Sequence, residues 1–366
     1  MRMLRTGAGD RIVPVDRPVL PTTASVVVPV LNERARLAPC LEGLLEQGPW
    51  IREILVVDGG STDGTTDVVA RYARRDPRLR VVRAGRAPTD WNGKAWGLQT
   101  GLQASDPASE WVISIDADVR PAPSLTASLL EHAARHQSMD AFSAAPRQRL
   151  SDDLDAIVHP ALLATLVYRQ GLPGSVATRP EDVQANGQCF VVRRETLVRS
   201  GAIAAARASR CEDVTIARIL VASGSQVGFF EAGDLASVEM YASAEETWEN
   251  WPRSLPLRDE TTSKLDLALQ LAEVAFVQAL PLSIVVAGFI KGRDAYKTPL
   301  FRSNAALLLL RLAVLAGMHR AYVAPPATYW LSPLADLPAL VRISSAAFEP
   351  TATWRGRPLV SENSAG

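Results

Sequence analysis

Two short apolar runs, each closing on acidic residues, constrain this chain more than any other feature. Ile54-Leu-Val-Val57 ends in Asp58, and Trp111-Val-Ile-Ser-Ile115 ends in Asp116-Ala-Asp118. Near-continuous apolar runs of this length belong to strands buried on both faces of a parallel sheet. In such a sheet the carboxyl ends of the strands gather along one edge, where ligands bind. Carboxylates one residue apart at a strand end suit a hard divalent cation, Mg2+ or Mn2+, which keeps some waters and takes its other oxygens from a diphosphate. Taken alone, Asp116 and Asp118 read equally well as a strand end running into a turn, where Asp is common.

The chain is long enough for one large catalytic unit plus an appendage, with 366 residues and a hydrophobic fraction of 47%. Lys+Arg 39 against Asp+Glu 39 leaves no net charge, so nothing recommends a polyanion such as DNA as the main partner, and no nucleic-acid partner is expected. Cys40, Cys189 and Cys211 are widely spaced, which argues against both a disulfide framework and a zinc site. The first residues lack an apolar stretch of signal-peptide length, and residues 1–23 read as a Pro-rich, flexible lead. From Ser25 onward, strand-like runs at 25–30, 53–58, 79–83 and 111–116 alternate with helical stretches, the signature of stacked βα units. A strand near Ala141 to Ala145, a helix near Asp152 to Arg169, a loop from Gln170 to Pro180, a buried strand Cys189 to Val192 and a helix Asp213 to Ala222 follow. Residues 24–255 are expected to form the catalytic domain, 256–349 a hydrophobic helical region and 350–366 a tail.

Four motifs in sequence sharpen this reading. Val28-Pro-Val-Leu-Asn-Glu33, Val57-Asp-Gly-Gly-Ser-Thr-Asp-Gly-Thr65, Asp116-Ala-Asp118 and Cys211-Glu-Asp213 resemble, in order and spacing, the family 2 glycosyltransferases of the GT-A fold. The resemblance implies an α/β, Rossmann-like mixed sheet, a nucleotide-diphosphate sugar donor such as UDP-glucose, and transfer with inversion. Asp90-Trp-Asn-Gly-Lys-Ala-Trp-Gly97 and Thr353-Trp-Arg-Gly-Arg357 are similar to the subset that glycosylates hydrophobic lipids, the hopanoid-associated, carotenoid and ceramide-type enzymes.

Carried over residue by residue, the resemblance gives Asp116 and Asp118 the metal, with Asp116 also at the donor. It gives Pro29, Asn32 and Glu33 the nucleoside pocket, and it makes Asp58 an acceptor of hydrogen bonds from uracil or ribose. Gly93 and Lys94 fall beside the diphosphate or sugar, and Gln188 faces hydroxyls. Asp213, next to Glu212, is the candidate general base. Simpler readings stand beside several of these. Two acids opening a helix are favoured by its dipole without catalysis, Ser61, Thr62 and Asp63 suit helix capping, and Lys94 suits a solvated helix start. Trp248-Glu-Asn-Trp251-Pro-Arg253 stands where many relatives carry Gln-x-x-Arg-Trp. Trp251 is expected to stack on a sugar and Arg253 to neutralise the diphosphate, while the departure argues against a processive polymer synthase.

Beyond Arg253 the composition shifts. Val274 to Ile290 is apolar and uncharged, near the lower length limit for crossing a membrane, and Ala305 to Val323 is apolar but carries Arg311 centrally. A third stretch, Ala327 to Phe348, holds prolines, Asp336 and Arg342. Lys291, Arg293, Lys297 and Arg302 between the first two would lie outside after a full crossing from the cytoplasm, against the positive-inside tendency. Membrane association is expected, with a re-entrant or interfacial hairpin as the alternative to crossing. The expected protein is a cell-membrane enzyme facing the cytoplasm that glycosylates a lipid acceptor. A sugar-nucleotide nucleotidyltransferase and a non-catalytic membrane-bound sugar-nucleotide sensor are the alternatives.

Overall fold

The computed structural model describes residues 11–255, 263–348, 353–354 and 357–358. Two compact units divide these residues. The first, built from 11–147 and 173–238, is the sheet. Its strands are β1 Ala24–Val30, β2 Ile51–Asp58, β3 Leu79–Arg83, β4 Trp111–Ile115, β5 Val119–Pro121, β6 Met139–Gln148, β7 Ser175–Ala177, β8 Cys189–Arg193 and β9 Gln226–Val238. Their order is β3-β2-β1-β4-β8-β6-β9-β5, with β7 on β9. The β3-β2-β1-β4 half is parallel. The pairings of β8 with β4 and β6, and of β9 with β5 and β7, are antiparallel.

The parallel half follows from its residues. The Val and Ile runs of β1, β2 and β4 are almost wholly buried, as strands covered on both faces must be. The helix Gly93–Ala104 lies on β1 and β2, and Gly101 makes that approach possible, because a Cβ there would fall 2.4 Å from Val27 Cγ1. Thr65–Ala73 buries Val68, Val69 and Tyr72 along one face. Below the sheet, Val27, Leu55, Val57, Val112, Val192, Ile216 and Leu220 join one apolar core.

The lead is more ordered than its composition implies over 11–23. Ile12 is buried, the Val15 N–H donates to Ser128 Oγ at 2.9 Å, and the Val19 N–H donates to Glu131 Oε2 at 2.9 Å. Prolines here shape an extended strap whose backbone finds side-chain acceptors on the helix Leu125–Arg135. The long β9 has no counterpart in the sequence reading, since Gly228 and Gly233 break its alternation.

The second unit is helical and comprises 148–172, 239–255 and 263–348. It takes in the helix Asp155–Gln170 and the stretch from Glu239, which the sequence reading had grouped with the sheet. One helix runs unbroken from Lys264 to Lys291 through a π turn at Ala275–Ala279, and a second spans Pro299–Ala321. At 28 and 23 residues both are long enough to cross a membrane, and an 18-residue stretch within each has a mean hydropathy of 1.9 and 1.5, respectively. The first is therefore longer than Val274 to Ile290 suggested. Ala327–Ala335 is 3-10 helix, and Asp336–Phe348 is a separate short helix.

Arg311 is fully buried, with Nε 2.9 Å from Asp336 Oδ2 and Nη2 3.0 Å from Ser332 Oγ. The charge that made this helix a poor span is thus paired inside the unit. Phe276, Phe289, Ile290, Leu300 and Leu309 are exposed instead.

Candidate active site

The sheet reverses its strand order between β1 and β4, the position at whose carboxyl edge open α/β sheets bind their ligands. Val30 pairs with Asp58, and Val27 pairs with Ser114, so Asp58 and the Asp116–Asp118 turn emerge on the same edge. Backbone bonds fix the turn. The Asp116 N–H donates to the Gln188 carbonyl at 3.1 Å, and the Val119 N–H donates to the Asp116 carbonyl at 3.1 Å.

The nucleoside side consists of two loops laced together. The Asn32 N–H donates to Ser61 Oγ at 2.9 Å, the Thr62 N–H to Asn32 Oδ1 at 2.9 Å, and the Glu33 N–H to Thr65 Oγ1 at 2.8 Å. Asn32 adopts a left-handed conformation with φ 56°, which asparagine tolerates better than most residues. Asp58 is buried, and its Oδ1 accepts the Ser61 N–H at 3.0 Å. The capping position of the following helix falls on Gly64 and has no side-chain cap, so Ser61 and Thr62 tie loops together instead. Asp63 does accept the N–H of Thr65, at 2.9 Å.

The centre of the site is a cluster of acids around one lysine. Lys94 Nζ lies 2.9 Å from Asp116 Oδ1, 3.0 Å from Asp116 Oδ2 and 3.1 Å from Glu212 Oε1. Asn92 presets this contact, because its Nδ2 donates to the carbonyls of Ala208 and Ser209, both at 2.9 Å, just ahead of Glu212. Asp213 is gripped by backbone: the Gly187 N–H donates to Oδ2 at 2.6 Å and the Val214 N–H to Oδ1 at 2.9 Å. A Cβ at residue 187 would fall 2.8 Å from Lys94 Nζ and 3.3 Å from Asp213 Oδ2, so glycine is what lets lysine, strand and carboxylate meet. The sequence singled out Gln188 but gave no role to Gly187 or Asn92.

Crowding of acids in a shielded place shifts their protonation. Burial, reinforced by Asp116, pushes the Asp118 carboxyl up to about 7. Burial likewise raises Glu33 to about 7, against the opposing pull of Arg36. Asp213 is pushed up to about 6 by burial and Glu212, with Lys94 pulling the other way. Burial would lower the Lys94 ammonium, but Asp116, Glu212 and Asp213 outweigh it and hold it well above the ordinary range. Cys40 and Cys189 are buried free thiols raised by burial, hence inert packing beside the site rather than nucleophiles.

These residues fit a divalent cation. Asp118 Oδ1 is buried without a hydrogen-bond partner, and the surrounding acids outnumber Lys94 and Arg36. Among the described residues no three His, Cys, Asp or Glu side chains close into a cage. A cation on Asp116 and Asp118 would therefore draw its other oxygens from water and substrate.

The other sequence candidates lie as follows. Pro29 is in β1, packed by the Gly97 face of the helix Gly93–Ala104, which Gly93 opens. Gln188 is buried, and its Oε1 accepts from Asn186 Nδ2 at 2.9 Å. Trp251 belongs to the helical unit, where it is buried in an apolar cluster with its ring 4.1 Å from that of His159. Arg253 ends the adjoining 3-10 turn, and its side chain lies outside the described residues.

The chain is 38% identical over 104 residues to the lipopolysaccharide core biosynthesis glycosyltransferase LpsC of Rhizobium meliloti, covering 28% of this chain and 33% of that one. It is 34% identical over 111 residues to the polyprenol monophosphomannose synthase of Mycolicibacterium smegmatis, covering 29% and 39%. It is 32% identical over 100 residues to the dolichyl-phosphate beta-glucosyltransferase ALG5C of Trichomonas vaginalis, covering 25% and 28%. The matched stretches thus span about a third of the length of these curated relatives. Among solved structures, the mannosyltransferase PcManGT from Pyrobaculum calidifontis, in complex with GDP-Man and Mn2+, superposes with a TM-score of 0.55 at 20% identity, covering 95% of this chain and 91% of that one. The fold is the GT-A fold, and residues 25–197 match the family described as Glycosyl transferase family 2.

Proposed function

We propose that this chain is an inverting, divalent-metal-dependent glycosyltransferase that moves a hexose, foremost glucose, from a nucleotide-diphosphate donor to a membrane lipid such as a carotenoid, a hopanoid or another polyisoprenoid. It works at the cell membrane with its sheet unit in the cytoplasm. The observation that carries this reading is the meeting of Asp116, Lys94 and Glu212 beside a backbone-held Asp213, on the sheet edge that also presents Asp58.

Asp58 and the Asn32–Glu33 loop are suited to the nucleoside, whose base and ribose offer donors to a buried carboxylate. Asp116 and Asp118 would hold Mg2+ or Mn2+, which when bound supplies Lewis-acid stabilisation of the departing diphosphate. Asp213 would take the proton of the acceptor hydroxyl. At about 6, its carboxyl is ionised near neutral pH yet basic enough to accept a proton. The two N–H groups on Asp213 fix its aim without neutralising it.

The lipid acceptor is supported by the helical unit, which hides Arg311 and Asp336 while exposing Phe276, Phe289 and Ile290. Two of the relatives are named for dolichyl phosphate and polyprenol, which are lipid carriers. Incubating the full chain in membranes with Mn2+ and UDP-glucose or GDP-mannose, and measuring released nucleoside diphosphate, tests the activity. Slow release is expected, and no release would favour the sensor reading. Mass spectrometry of lipids from cells with and without the protein should then show a hexose-sized difference on one lipid class.

A further inference from the structure

Lys94 sits where a divalent cation would have to compete with it. Its ammonium engages both carboxylate oxygens of Asp116, at 2.9 and 3.0 Å, and reaches Glu212 at 3.1 Å. Its seat is built for it: Asn92 pins the start of its helix to residues 208 and 209, and the missing side chain of Gly187 leaves room for the Nζ. Asp118, by contrast, keeps a buried oxygen with no partner. The two aspartates are therefore unequal, one saturated by an internal cation and one waiting. A divalent ion bridging them would share Asp116 with a positive charge a few ångströms away, where repulsion in a shielded site is strong.

We propose that Lys94 is an internal counter-ion that keeps the metal site weak in the free protein and releases it when a nucleoside diphosphate arrives. The diphosphate offers the ammonium new anionic oxygens. As Lys94 turns to them, Asp116 is freed to join Asp118, so metal and nucleotide bind with positive coupling and the metal alone binds poorly. Such coupling is reciprocal, because each ligand must raise the affinity of the other by the same factor. This inference rests on the assignment of Asp116 and Asp118 as metal ligands.

The test is Mn2+ titration of the full-length protein, followed by the electron paramagnetic resonance of free Mn2+, with and without UDP or GDP. Wild-type protein and the Lys94→Met and Lys94→Arg variants are compared. Lys94→Met, which removes the competing charge at nearly constant length, should bind Mn2+ alone about tenfold more tightly, and its nucleotide-induced gain should shrink by about that factor, the remainder coming from diphosphate oxygens that ligate the ion in every variant. Lys94→Arg keeps a cation at the seat and should bind Mn2+ alone as weakly as wild type. If Lys94→Met binds Mn2+ alone no better than wild type while wild type still binds it with nucleotide, the counter-ion role is wrong and the metal assignment stands. If no protein binds Mn2+ even with nucleotide present, the metal assignment itself fails and the inference falls with it.

Discussion

Replacing Asp213 with asparagine isolates the role of one negative charge. The substitution keeps size and shape. Of the two N–H groups aimed at the carboxylate, from Gly187 and Val214, the amide oxygen can serve only one, and the other faces an NH2 group. Loss of that bond should cost about 1 kcal/mol of stability, small beside the functional effect. Removing a general base slows the chemical step by about 100- to 10,000-fold, or about 2.7 to 5.5 kcal/mol of barrier. Transfer of labelled hexose to extractable lipid should fall by that factor, while Mn2+-dependent donor binding stays near wild type. The pH profile supplies a second signature. A base with a pKa of about 6 must lose its proton to work, so kcat/KM should rise about tenfold per pH unit below that value and level off above it. Glu212 raises the Asp213 pKa and Lys94 lowers it. Glu212→Gln should therefore move the acid limb to lower pH, and Lys94→Met should move it to higher pH. Asp213→Asn turnover within about fivefold of wild type would refute the base assignment, and would fit an acceptor already ionised, such as a lipid phosphate.

Other perturbations probe the surroundings. The folded protein holds the Asp118 proton up to about pH 7 while the unfolded chain releases it near its ordinary value, so metal-free stability should decline as pH rises through that window. Asp118→Asn should flatten the decline in thermal midpoint and abolish Mn2+ binding. Gly187→Ala drives a methyl to within 2.8 Å of Lys94 Nζ and 3.3 Å of Asp213 Oδ2, and should cut kcat by up to about 100-fold with the melting temperature little changed. Arg311→Met leaves the buried Asp336 without its cationic partner, holding only the bond from Gln278 Nε2, and should lower stability by about 3–5 kcal/mol, whereas adding Asp336→Leu should restore most of it, both read by thermal melts in detergent.

The parallel half of the sheet was legible because its signal is local. Val26 to Val28, Ile54 to Val57 and Val112 to Ile115 are largely apolar runs of the kind that doubly covered strands require, and the acids closing the last two mark the ligand edge. Asp116 closes such a run, whereas Lys94 and Glu212 entered through the family resemblance, with no sign that the lysine joins the two acids. That pairing becomes visible only through Asn92 and Gly187, which bring residues 94, 116 and 212 together across the fold. β9 escaped because its glycines erase the period-two pattern, and its partners lie far away in sequence. Arg311 read as a flaw in an apolar helix until its partner, Asp336, appeared 25 positions away.

On the function proposed, Asp116 and Asp118 hold a cation that binds the donor diphosphate. Calorimetric titration of the full-length protein with UDP-glucose and GDP-mannose, first in EDTA and then in excess Mn2+, tests it most directly. Saturable binding of one of these donors is expected only with Mn2+, and should be lost in Asp116→Asn and Asp118→Asn. Equal donor binding in EDTA, or Mn2+-dependent binding untouched by both substitutions, would contradict it.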